Sequence, residues 1–202
     1  MPITAAEISE LDIQLWVDTS GSMARNASVG TSTRHHVAQE LALGLATFFA
    51  KHDDDGIGLG FFGGQKVDFE DNVTGDKIVT LFEGHQPAGS TPMVKALTRA
   101  IEVAEKSGKK SVILFVCDGE PSDGDLKDLA GVIAGMTDRV PEERINISFL
   151  QVGDDPDSTK LLQFLDDELV ANGAKYDAVD TKPELEWAGM TPEAIVEAAM
   201  ND

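Results

Sequence analysis

Three oxygen-bearing side chains stand at two-residue spacing in Asp18-Thr19-Ser20-Gly21-Ser22, directly after the apolar run Leu15-Trp16-Val17. Carboxylate and hydroxyl oxygens are hard ligands, suited to Mg²⁺, Mn²⁺ or Ca²⁺. One acid and two hydroxyls do not fill a coordination shell, so the remaining oxygens must come from elsewhere in the chain. The sequence offers two more. Thr91 lies in the turn-rich loop Glu83 to Pro92, and Asp118 closes the apolar run Ser111 to Cys117.

Other strings carry less chemistry. Asp53-Asp54-Asp55-Gly56 begins like a calcium loop but lacks the terminal bidentate acid at the required spacing, and reads as a solvated turn. Gly58-x-Gly60-x-x-Gly63 matches the dinucleotide pattern formally, yet it lies in a strand that leads to a turn and not to a helix N-terminus. His35 and His36 are neighbours on a helix, so their side chains diverge. Glu120 and Asp123 read as solvated loop acids. Cys117, the one cysteine, ends a buried strand and reads as a packing residue; no intrachain disulfide can form.

The elements that must position these groups follow from periodicity. Leu11, Ile13, Leu15 and Val17 alternate as a strand, with Trp16 on the opposite face. Residues 21–32 read as a loop. Thr33 is placed to cap a helix marked by Val37, Leu41, Leu45 and Phe48. Gly44 interrupts that helix, which close packing against a strand would explain. Ile57 to Phe62 is a second strand, and Val67 to Phe69 a short edge strand returning from it. A short helix covers Asp76 to Phe82. Thr91-Pro92 has the form of a helix entry, followed by Val94, Leu97, Ile101 and Ala104 on one face. Ser111 to Cys117 is apolar on both faces, as in a covered parallel strand. Leu126, Leu129, Ile133 and Met136 mark a helix, and Ile145 to Val152 a strand. A helix capped by Asp157 or Ser158 runs through Leu161, Leu165 and Leu169. Tyr176 to Val179 is a last strand, and Thr191-Pro192 opens a terminal helix. Strands and helices alternate throughout, which predicts one doubly wound α/β domain over 1–202 with a mainly parallel sheet and one short antiparallel edge strand. Ligands of such sheets sit beyond the carboxyl ends of the strands, where both Asp18 and Asp118 fall.

Composition excludes some partners. With 16 basic and 36 acidic residues the formal net charge is −20, the opposite of a nucleic-acid footprint. No stretch of about 18 apolar residues is available to span a bilayer. The segment Met1 to Glu7 has neither the basic nor the apolar region of a secretory signal, so the chain reads as a soluble cytoplasmic protein.

The oxygen set carries a resemblance. Asp18-Thr19-Ser20-Gly21-Ser22 resembles the D-x-S-x-S motif of von Willebrand factor A domains. Gly89-Ser90-Thr91-Pro92 is similar to their threonine loop and Asp118-Gly119 to their acidic turn. Together these resemble a metal-ion-dependent adhesion site. The alternating pattern resembles the family over essentially the whole chain, and the lack of a signal segment and of paired cysteines resembles its intracellular bacterial and fungal branch. Ser90 and Cys117 stand where many relatives carry Gly and Thr. The resemblance implies a Rossmann-like fold and a divalent cation, Mg²⁺ first and Mn²⁺ or Ca²⁺ as alternatives. Ser20 and Ser22 would bind it directly, Thr91 directly or through water, and Asp18 and Asp118 mostly through water. It further implies a non-enzymatic protein-binding module whose partner supplies an Asp or Glu, with an ATPase-type partner among the candidates. Neutral hydroxyls would leave such an ion electron-poor and receptive to a carboxylate. Two other readings stand beside it. One is a metal-dependent hydrolase or phosphatase with Asp18 as nucleophile, although strand-end phosphatases carry a second acid where Ser20 stands. The other is a structural or assembly component whose metal merely stabilises it.

Overall fold

In the computed structural model, which describes residues 5–52, 56–119 and 121–201, β1 (Leu11–Asp18) follows a short helix α1 (Ala5–Ser9). A 3-10 turn (Gly21–Ala24) and an irregular loop lead to α2 (Arg34–Phe49). Next come β2 (Ile57–Gly63), β3 (Lys66–Val73), α3 (Gly75–Gly84) and α4 (Met93–Ser107). The second half runs β4 (Lys110–Cys117), α5 (Leu126–Arg139), β5 (Ile145–Gln151), α6 (Pro156–Asp167), β6 (Val179–Lys182), α7 (Glu184–Trp187) and α8 (Pro192–Met200). The acidic string Asp53 to Asp55 and Glu120 lie outside the described residues.

The six strands form one sheet in the order β3-β2-β1-β4-β5-β6. Only β3 is antiparallel. The strand order reverses between β1 and β4, and Asp18 and Asp118 stand at the carboxyl ends of those two strands. Helices cover both faces. Ile13, Leu15 and Val17 point into a core closed by α2, α3 and α8, while Trp16 points into a second core closed by α4, α5 and α6. Strand alternation thus divides β1 between two hydrophobic layers, and burial of this apolar surface is the main force fixing its position.

Gly60 is a glycine for steric reasons. A Cβ there would stand 2.3 Å from the Trp16 ring. Trp16 also stacks on Phe69 and Phe115, at 5.3 and 6.0 Å between centroids, and its indole N–H donates to Gln14 Oε1 at 3.0 Å.

Several local expectations need correction. β3 is longer than Val67 to Phe69. Its exposed acids Asp68, Glu70 and Asp71 disguise it as loop, although charge on a sheet edge is a usual defence against mispairing. The first residue of α4 is Met93, with Pro92 at the cap, so Thr91 does not cap this helix by its side chain. Asp123 does that work: its carboxylate accepts from the Val94 and Lys95 backbone N–H groups at 3.0 Å each, so it is no solvated loop acid. Asp155, not Asp157 or Ser158, caps α6, because Pro156 takes the first helical position. The last strand is Val179–Lys182; Tyr176 is held away from the sheet by its hydroxyl, which donates to Val140 O at 2.8 Å. Gly44 packs not on a strand but on Pro192 of α8, 2.9 Å from where its Cβ would be.

Candidate metal centre

Asp18 ends β1 because the apolar alternation stops there, and the chain turns at once. Its Oδ1 accepts from the Ser20 backbone N–H at 2.6 Å, which folds the carboxylate back over the turn. Ser20 Oγ lies 3.0 Å from Ser22 Oγ, and the Ser22 hydroxyl donates to Asp118 Oδ1 at 2.7 Å. Ser20, Ser22 and Asp118 therefore form one continuous chain of oxygens across the β1–β4 boundary, which Asp18 joins through the Ser20 backbone N–H.

Thr91 joins through its backbone. Gly21 N–H donates to Gly89 O at 3.1 Å and Ala88 N–H to Thr19 O at 2.8 Å, so the threonine loop is sewn onto the first turn. On its other side Thr91 N–H donates to Ser122 Oγ at 2.9 Å, and Thr91 O accepts from Ser122 N–H at 2.8 Å. Thr91 is buried. All five sequence-predicted residues thus lie in three segments at the carboxyl end of the sheet, with Ser20, Ser22 and Asp118 linked by side chains, Asp18 through the Ser20 N–H and Thr91 by the backbone of its loop.

The other Asp18 oxygen, Oδ2, is buried without a hydrogen-bond partner among the described residues. A buried carboxylate oxygen left unpaired is costly. Burial pushes the Asp18 carboxyl up to about 7; the Ser20 backbone N–H opposes the rise and the neighbouring Asp118 charge adds to it. The same burial, with the two carboxylates beside it, raises the Cys117 thiol well above its ordinary value, so it is a packing group and not a nucleophile.

These features fit a hard divalent cation. Adjacent oxygens of an octahedral Mg²⁺ shell stand about 3 Å apart, given Mg–O distances of about 2.1 Å. The two serine hydroxyls have that spacing, and the orphaned Asp18 oxygen is an acceptor in want of a positive group. Among the described residues no three His, Cys, Asp or Glu are grouped to hold a metal. The candidate set is instead hydroxyl-rich, with Ser20, Ser22 and Thr91 beside Asp18 and Asp118.

Three residues of the surroundings escape a reading by motif. Arg34, the first residue of α2, donates from Nη1 to Asp118 Oδ2 at 2.6 Å. A cation at a helix N-terminus opposes the helix dipole, and that anomaly was its signal in the sequence. Gly153, with φ +83°, offers its bare face to the Arg34 guanidinium. Glu184 is buried and accepts from Val29, Gly153 and Ser28 backbone N–H groups at 2.7, 2.6 and 3.0 Å, tying the loop after Ser22 to the loop after β5. An open cleft of about 490 Å³ adjoins the centre, with Ser22, Arg34, Asp118 and Asp155 in its wall.

Comparison with known proteins bears on the family and the fold. The family model described as von Willebrand factor type A domain matches residues 13–120. That span contains all five candidate ligands. No curated protein matches the chain. Among solved structures, the VWA domain of SpRpn10 is similar at TM-score 0.61 and 13% identity, over 93% of this chain and 94% of that one. A von Willebrand factor type A protein from Catenulispora acidiphila gives 0.61 and 14%, over 94% and 42%. Manganese-loaded TRAP protein from Plasmodium vivax gives 0.60 and 13%, over 96% and 74%. At such identities the likeness is one of fold.

Proposed function

Because the chain belongs to the von Willebrand factor type A domain family, we propose that it is a non-enzymatic module that binds a partner protein through a divalent cation held by Asp18, Ser20, Ser22, Thr91 and Asp118. The observation that carries this reading is the buried, unpartnered Asp18 Oδ2 beside the linked hydroxyls of Ser20 and Ser22. A manganese-loaded relative by fold supports the class of ion; the hardness of the ligands suits Mg²⁺, Mn²⁺ and Ca²⁺ alike.

In this reading Ser20 and Ser22 present neutral oxygens, held in register by the Asp18–Ser20 turn. Asp118 steadies Ser22 by accepting the hydrogen bond from its hydroxyl. Thr91 is kept at the site by the Gly89–Gly21 and Ala88–Thr19 backbone bonds. When bound, a divalent cation would supply an electrophilic position that a partner's Asp or Glu completes. The adjoining cleft provides the approach. The charge of −20 repels polyanions and so weighs against a nucleic acid as the partner.

The test is a thermal titration of the EDTA-treated chain with Mg²⁺ and Mn²⁺. Saturation at about a hundred times Kd should raise Tm by roughly 5–10 °C, and Asp18→Ala should abolish the rise. A partner captured from extract should then be released by EDTA. No cation response in the wild type would sink the reading, and a partner that stays bound in EDTA would reduce the metal to a stabilising role.

A further inference from the structure

Arg34 is a buried cation built into the edge of the metal centre. Its side chain is only 10% exposed, and three contacts fix it: Nη1 donates to Asp118 Oδ2 at 2.6 Å, Nε donates to Asn26 O at 3.3 Å, and the guanidinium lies on the bare face of Gly153. A Cβ at Gly153 would stand 2.4 Å from Nη2, so the glycine makes room for this arginine. Asp118 is thereby engaged at both oxygens, Oδ1 by Ser22 and Oδ2 by Arg34. Moving it to ligate a cation more closely would break a charge-assisted hydrogen bond.

The charge count gives this contact a consequence. Among the buried groups two carboxylates bring two negative charges, the hydroxyls none, and Arg34 cancels one of the two; Asp155, which the Arg34 charge also reaches, is exposed and screened by solvent. A dication added to that set leaves one positive charge uncompensated in a buried site. We propose that Arg34 keeps the centre one charge short of neutrality, so that it binds a divalent cation weakly alone and tightly only with an external carboxylate. The inference rests on the cation-binding reading above and specifies its regulation. By linkage, whatever factor a carboxylate adds to cation affinity, the cation adds to carboxylate affinity, so the module engages its partner and its metal together. A purely structural role for Arg34, as an anchor for Asp118, has the opposite sign: loss of the anchor would weaken cation binding.

The experiment is calorimetric titration of the full, EDTA-treated chain with Mn²⁺, with and without acetate at constant ionic strength. In the wild type, acetate should tighten Mn²⁺ binding. Arg34→Gln should bind Mn²⁺ roughly tenfold more tightly without acetate and lose most of the acetate effect. Arg34→Lys, which keeps the charge, should restore both wild-type properties. If the wild type binds Mn²⁺ and Arg34→Gln binds it no more tightly, the proposal fails while the cation site stands. If the wild type binds no Mn²⁺, both fail. Should Arg34→Gln not fold by circular dichroism, the wild-type acetate titration decides alone, and an affinity indifferent to acetate overturns the proposal.

Discussion

Asp18 shows how one residue can be costly to the fold and useful to the site. Its carboxyl titrates from an ordinary value of 3.8 in the open chain to about 7 in the metal-free fold, chiefly through burial. Between those values the folded state holds a proton that the unfolded state has released. The contribution to stability is therefore greatest below about pH 4 and is lost as pH rises to about 7, above which the buried charge is a constant burden. Asp18→Asn, neutral throughout, should be more stable than the wild type in EDTA near pH 8 by on the order of 2–4 kcal/mol, and no more stable near pH 4. Urea melts of both proteins across that range check the sign. A wild type that matches the variant at high pH would mean that Asp18 is not carrying an unpaired charge. The site was legible in the sequence where chemistry depends on residue type at short spacing, as in Asp18, Ser20 and Ser22, or on an acid ending an apolar strand, as in Asp118. Arg34 was not legible as part of it, because only the crossover between β1 and β4 brings α2's first residue to Asp118 across 84 positions of chain.

At the scale of elements, α7 carries no sequence signature because four residues are too few to show a helical period. It nevertheless holds the loop that follows the serines. Glu184 at its start accepts three backbone N–H bonds from two separate loops, and Trp187 at its end donates to Gln151 O at 2.9 Å while packing in the core. Long elements with repeated apolar positions, such as β1, α2, β4 and α5, could be read because burial on one face dictates their period. Short connectors and the Asp123 cap depend on partners distant in sequence, whereas the α6 cap is local and its marker is Pro156 at the first helical position, which puts the cap at Asp155 and not at Asp157 or Ser158. Removing the Glu184 carboxylate would strand three backbone donors, two of them on the loop at Ser28 and Val29. Glu184→Ala should cost about 2–4 kcal/mol and open the chain to cleavage between Gly21 and Ser32. Glu184→Gln keeps one acceptor oxygen and should cost less. Limited proteolysis with denaturant melts would separate the two, and an intact loop in Glu184→Ala would show that the carboxylate does not hold it.

At the scale of the whole molecule, the chain carries 36 acidic against 16 basic side chains, and most of the ion pairs among the described residues are exposed. Exposed pairs contribute little, whereas a uniform excess of one sign opposes compaction. Self-repulsion should therefore outweigh the pairs, and screening should stabilise the fold. In EDTA, raising monovalent salt from roughly 20 mM to 0.5 M shortens the Debye length from about 20 Å to about 4 Å and should lift Tm by several degrees. The effect should be equal for sodium and choline chloride and present in Asp18→Asn, since it arises from the surface and not from the centre. Mg²⁺ at concentrations too low to screen should act only through the centre, and that increment should vanish in Asp18→Asn. The two responses differ in ion, in concentration and in dependence on one residue, so scanning calorimetry over both series resolves them. A Tm that falls with monovalent salt would mean that the exposed pairs dominate the surface field. The same field bears on recognition. A carboxylate that must reach the cleft beside Ser22 approaches an acidic protein, so the proposed partner has to carry that acid within a basic surround.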